Sequence, residues 1–194
     1  MEYADLRRDC GIVRKTVMTS QEYFATPESL NPTELAFGVL TVRDAPTASH
    51  QTAVGSFFIA LQAHVREHAL GQVWIAPLDV VLDEARALIV QPDLLYIASR
   101  RSGIVHGRVY GPPDLVVEVL SPKPRVGGFD ERLGWFASYG VKECWAYHQT
   151  SDQLEIIQLS ESGVGERAMI GLDDPIASPC LPSFSLTLRE ILQG

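Results

Sequence analysis

Pro113-Asp114-Leu115-Val116-Val117-Glu118-Val119-Leu120-Ser121-Pro122 is the stretch on which the reading of this chain turns. Prolines at both ends bracket seven residues, 114–120, that are mostly branched and apolar. Such a run reads as a strand buried on both faces in the middle of a sheet. Glu118 stands at its centre, between two valines. An ionised carboxylate is costly to bury there unless it is paired or holds a cation. Strand parity places Asp114, Val116, Glu118 and Leu120 on one face. Asp114 and Glu118 then lie about 13 Å apart, at a rise of ~3.3 Å per residue, too far to share one ion directly.

Working back from this strand, residues 87–98 form a second apolar run. It contains Pro92 and, directly after it, Asp93. Proline lacks an N–H and marks an edge, a bulge or a strand start. If the two strands are neighbours, Asp93 and Glu118 converge. Two or three oxygen ligands suit Mg²⁺ or Mn²⁺, with water and a substrate phosphate completing the shell. Such an ion activates water and offsets charge developing on a phosphate.

The other elements follow from local signals. Thr19-Ser20-Gln21-Glu22 has capping-box spacing and predicts a short helix ending before Pro27. Residues 34–42 read as a strand bent at Gly38. Ser49 is placed to cap a helix of about 20 residues with Val54, Phe58, Leu61, Val65 and Leu70 on its inner face, ended by Gly71. Strands are predicted over 72–76, 79–82, 87–98 and 104–110, with a hairpin turn at 83–86. Beyond Glu118, a helix over 130–139 turns Leu133, Phe136 and Ala137 inward and stops at Gly140. Strands at 141–147, 154–159 and near 168–171 and a short segment at 186–192 complete the chain. The order gives an α/β (α+β) fold with a mixed sheet. Residues 1–18 read as a lead-in and 19–194 as one domain.

Composition agrees. The chain has 194 residues, a formal charge of −8, 46% hydrophobic and 21% charged residues, which excludes a disordered tail, a collagen-like rod or a coiled coil. No apolar run approaches the length of a membrane span, and the first residues lack the apolar core of a signal peptide. Three widely spaced cysteines, Cys10, Cys144 and Cys180, fit neither a disulfide framework nor a zinc site and suggest a reducing cytoplasm. The acidic balance argues against tight non-specific nucleic-acid binding. Locally, however, residues 100–142 carry seven basic and four acidic side chains. Lys123 and Arg125, just past Glu118, are placed to face a backbone phosphate.

Pro92-Asp93 followed by Glu118-Val119-Leu120 resembles the PD-(D/E)XK nuclease signature. More narrowly, the chain resembles the bacterial Uma-two family of restriction-endonuclease-like proteins. The stretches that carry the resemblance are Glu34-Leu-Ala-Phe-Gly38, Ser49-His50-Gln51, Ala76-Pro-Leu-Asp79, Gln91-Pro-Asp-Leu94, the 113–122 string and Tyr139-Gly-Val-Lys-Glu-Cys-Trp145. The resemblance implies a restriction-endonuclease-like core, a central mixed sheet flanked by helices, and DNA as substrate. It implies a site of Asp93 and Glu118 as Mg²⁺ or Mn²⁺ ligands, with the carbonyl of Val119 as a further ligand and Glu34 or Asp114 assisting. The signature's lysine position holds Leu120. The helix lysine that the family often uses instead is Arg132 here, within Arg132-Leu133-Gly134-Trp135-Phe136. Arginine keeps its proton, so it can bind a phosphate but cannot act as a base.

Two function classes follow. One is a metal-dependent DNA endonuclease, acting as a homodimer if both strands are cut. The other is a catalytically impaired nuclease-like module that serves as an oligomeric scaffold or binds nucleic acid. Bland roles stand beside the sharp ones: a structural ion pair for Glu118, a turn cap for Asp93, a solvated charge for Arg132, a helix-start contact for His50, core packing for Trp135 and Trp145. His64 and His68 lie four apart on one helix face and lack a third zinc ligand.

Overall fold

In a computed structural model, residues 17–27, 31–120 and 128–193 are described. The lead-in before residue 17 and the basic pair Lys123 and Arg125 lie outside them. The chain runs α1 (Ser20–Phe24), β1 (Thr33–Ala36), β2 (Val39–Val42), α2 (Ala48–Glu67), β3 (Gly71–Ile75), β4 (Val80–Asp83), β5 (Leu88–Val90) and β6 (Leu94–Ala98). A 3-10 turn (Ser99–Ile104) follows, then β7 (Val105–His106), β8 (Arg108–Tyr110), β9 (Leu115–Leu120), α3 (Phe129–Tyr139), β10 (Glu143–His148), β11 (Gln153–Ser160), β12 (Gly163–Ile170) and α4 (Leu188–Gln193).

The strands form two six-stranded sheets. The larger has the order β12-β11-β10-β9-β6-β3, and the other β2-β1-β5-β4-β8-β7. The larger sheet is mixed: β9 and β10 are parallel, and the remaining pairs are antiparallel. The 113–122 stretch is thus the interior strand its composition predicts, with residues 115–119 buried. Its odd-numbered residues pack towards α2, where Phe57, Leu61 and Val65 meet Val117, Val119 and Trp145. Val116 packs on the opposite face, against Leu133 and Phe136 of α3. Val80, Leu88, Val90 and Val109 of the second sheet join that cluster. The expected mixed sheet between helices is present, and a second sheet shares the α3 face with the helix.

Local chemistry accounts for most boundaries. Thr19 forms the capping box with Glu22. The bend at Gly38 is a two-residue hairpin in which Phe37 and Gly38 both have positive φ, 49° and 81°, the twist that suits adjoining antiparallel strands. α2 is capped by Thr47, two residues before the expected Ser49, because the Thr47 hydroxyl accepts the N–H of His50. It ends before Gly71. Ala69 adopts a positive φ, and the N–H of Leu70 reaches the carbonyl of Val65, closing the last turn in a Schellman pattern. Gly71 instead starts β3, where an added Cβ would sit 2.2 Å from the Ile97 carbonyl oxygen. At the end of α3, Gly140 adopts φ 94° as expected.

The largest departure from the sequence reading is the 87–98 run. It is two strands, β5 and β6, and they belong to different sheets. The break falls at Gln91-Pro92-Asp93, where proline cannot donate to a ladder. Asp93 is therefore delivered to the seam between the sheets. Among the described residues no helix is long and apolar enough to cross a membrane.

Phe136 has no exposed surface and fills the space between the two sheets. Phe136→Ala is expected to lower the free energy of unfolding by about 3–5 kcal/mol. The measurement is a lower urea midpoint at unchanged slope.

Candidate functional site

Four sequence-predicted residues come together at the seam: Glu34 of β1, Asp93 just before β6, Glu118 of β9 and Arg132 of α3. The neighbouring of β6 and β9 brings Asp93 to Glu118. Leu94 pairs with Val117, and continuing that antiparallel register sets Asp93 opposite Glu118. Asp93 Oδ2 accepts the Val119 N–H at 2.7 Å. Its Oδ1 lies 3.4 Å from His50 Nε2 at the start of α2. His50 thus combines the helix-start contact, made by its backbone, with a ring contact to Asp93.

Glu118 is fully buried and Arg132 is 4% exposed. Arg132 Nε donates to Glu118 Oε1 at 2.6 Å. The two Nη groups of the same guanidinium donate to the two oxygens of Glu34, at 3.0 and 2.9 Å. Arg132 is no solvated charge. Its planar fork suits this bidentate contact, and its carbon lies 5.2 Å from the centroid of the Phe136 ring below. Burial alone would favour the neutral guanidine, but Glu118 and Glu34 outweigh it and push the pKa further up. Glu34 is held by two more groups, Arg43 and the Gln91 N–H. Burial pushes its carboxyl up, and Arg132, Arg43 and these bonds together bring it below the ordinary 4.5.

Gln91 extends the network. Its side chain bonds the Thr33 N–H and Asp79 Oδ1, and Asp79 also accepts from Tyr23 and Arg108. Sequence reading missed Arg43 as a partner, since nothing local ties a residue after β2 to this cluster. The stretch around Pro92 and Asp93 did point to the neighbourhood of Gln91.

Asp114 does not join the site. It directly precedes β9, four residues before Glu118, and its buried carboxylate accepts the Ala98 N–H and pairs with Lys142 and Arg101. Burial raises its pKa, and these three partners more than reverse the effect. Its role there is to anchor the β9–β10 start. Val119 contributes an N–H to Asp93. Among the described residues no three His, Cys, Asp or Glu side chains stand together as a metal cluster, so two carboxylates, backbone and water are what the seam offers a cation. Trp145 is core, with its indole N–H on Glu143. The His64 and His68 rings lie 4.5 Å apart, tilted by 53°, with His64 on the Pro182 carbonyl. Burial pushes the Cys180 thiol up to about 12.

Because folded Glu34 holds its proton less readily than unfolded Glu34, its pairing adds stability above about pH 4.5. That stability is lost as the pH falls through the lower folded value. Glu34→Gln is expected to reduce stability at neutral pH and to flatten the loss of stability as the pH falls below about 4.5. Urea unfolding across that range checks it.

The Uma2 family, described as "Putative restriction endonuclease", matches residues 20–189. Among solved structures, a protein from Anabaena variabilis described as "a putative nuclease" superposes with a TM-score of 0.76. The likeness covers 91% of this chain and 98% of that one at 14% identity, a level at which it speaks for the fold alone. No curated protein matches the chain. With residues 20–189 under the family model, nearly the whole described length, this chain belongs to the Uma2 family.

Proposed function

We propose that this protein is a nuclease that hydrolyses phosphodiester bonds of DNA with the help of Mg²⁺ or Mn²⁺. The observation that carries the reading is the low exposure of Glu34, Asp93 and Glu118 at one seam, Glu34 and Glu118 on Arg132 and Asp93 on the Val119 N–H beside Glu118. The hard oxygen donors of Asp93 and Glu118 fit a divalent ion. So does the number of side chains, because Mg²⁺ commonly takes one or two carboxylates and keeps several waters.

In this reading Asp93 and Glu118 hold the ion, with the Val119 backbone beside them. When bound, the ion supplies an activated water and offsets charge on the phosphate. The chain's own residues do the rest. The Val119 N–H orients Asp93, and His50 supports the other oxygen of that carboxylate. Arg132 brings a permanent positive charge that suits a phosphate oxygen and cannot take up a proton. A cytoplasmic homodimer would bring two sites to two strands.

A second reading has its own support. Arg132 already satisfies Glu118 and Glu34, as a purely structural ion pair would. On that basis the protein is a catalytically impaired nuclease-like module that serves as an oligomeric scaffold or binds nucleic acid.

Supercoiled plasmid incubated with Mg²⁺ or Mn²⁺ separates the two. Wild type is expected to nick it, and Glu118→Gln, Asp93→Asn and added EDTA each to reduce nicking by about 100-fold or more, the loss of roughly 2.7 kcal/mol of transition-state stabilisation. A folded wild type that leaves the plasmid intact moves the conclusion to the second reading.

A further inference from the structure

The cation that sits on Glu118 belongs to the protein itself. We infer that Arg132 is a tethered counter-ion holding the place of the divalent ion, so that Arg132 and the metal compete for Glu118. The inference rests on the proposed assignment of Glu118 as a metal ligand, and it adds what this chain has done to that position.

The geometry is restrictive. Arg132 Nε lies 2.6 Å from Glu118 Oε1, and Mg²⁺ would need carboxylate oxygen at about 2.0–2.1 Å. Glu118 has no exposed surface and Arg132 only 4%, so little water screens one cation from a second in the same space. Three features keep Arg132 in place. It is anchored at its far end by two bonds to Glu34. It lies over the ring of Phe136, one helical turn along α3. It also remains protonated throughout the physiological range, so its charge leaves only if the side chain moves. A lysine here would present one ammonium in place of a fork bridging two acids, and would give way more readily. Arg132 therefore stabilises the metal-free protein and weakens metal binding by the same contact.

The test uses Mn²⁺ alone as the probe, with calorimetric titration and thermal unfolding as readouts. Arg132→Lys and Arg132→Gln are expected to bind Mn²⁺ at least about tenfold more tightly than wild type, and to gain more in melting temperature from it. Glu118→Gln added to either variant is expected to abolish the gain. If Arg132→Gln folds only when Mn²⁺ is present, that dependence is itself the expected result, and Arg132→Lys supplies the affinity. Equal Mn²⁺ affinity in wild type and Arg132→Lys overturns the inference. So does a gain that survives Glu118→Gln, or the absence of Mn²⁺ binding in every variant. The plasmid assay keeps the two conclusions apart. Tighter Mn²⁺ binding without cleavage defeats the nuclease reading alone, whereas cleavage by wild type with Mn²⁺ affinity indifferent to Arg132 defeats this inference alone.

Discussion

The contact on which the seam of this molecule depends is the three-way ion pair Glu118–Arg132–Glu34. Glu118 comes from the larger sheet, Glu34 from the other, and Arg132 from α3, which packs on the larger sheet beside the second. Burying any one of these charges alone would cost several kcal/mol, and only the fork geometry and the additional bonds to Glu34 offset that cost. The pair is thus best regarded as a constraint that holds the sheets in one relation.

That constraint works together with the crossing at Gln91-Pro92-Asp93. The chain leaves one sheet as β5 and enters the other as β6, and the crossing residues face the ion pair. The Gln91 N–H binds Glu34, while the Asp93 carboxylate takes the N–H of Val119, next to Glu118. Proline's missing N–H removes a ladder bond at the point where the strand must change partners. One local feature therefore ends a strand, starts the next and presents a carboxylate.

The two acids of β9 show how environment sorts identical chemistry. Asp114 and Glu118 share a strand face, yet Asp114 meets an amide N–H, a lysine and an arginine at the strand's start and is spent on structure. Glu118 meets a guanidinium deep in the seam. The family has a nuclease description, and the site retains its acids with arginine where lysine is the frequent residue. On the proposed reading, the chemistry of this member would depend on how firmly Arg132 holds Glu118 and Glu34.

Much of this was legible in the chain alone. Branched apolar residues between two prolines mark β9 as an interior strand, the capping box starts α1, and Gly140 ends α3, because these signals depend on neighbours within a few residues. Glu118 and Asp93 stood out because their surroundings made a charge expensive or a ladder bond impossible. Other features were decided only by tertiary structure. The division of 87–98 between two sheets, the burial of Arg132, its hold on Glu34 and the entry of Arg43 all join residues far apart in sequence, and no local pattern encodes such a meeting. The sequence determines where a charge is costly. Which partner meets that cost depends on the packing of sheets and helix, since a buried ion pair acquires its energy from geometry that exists only once the chain has folded.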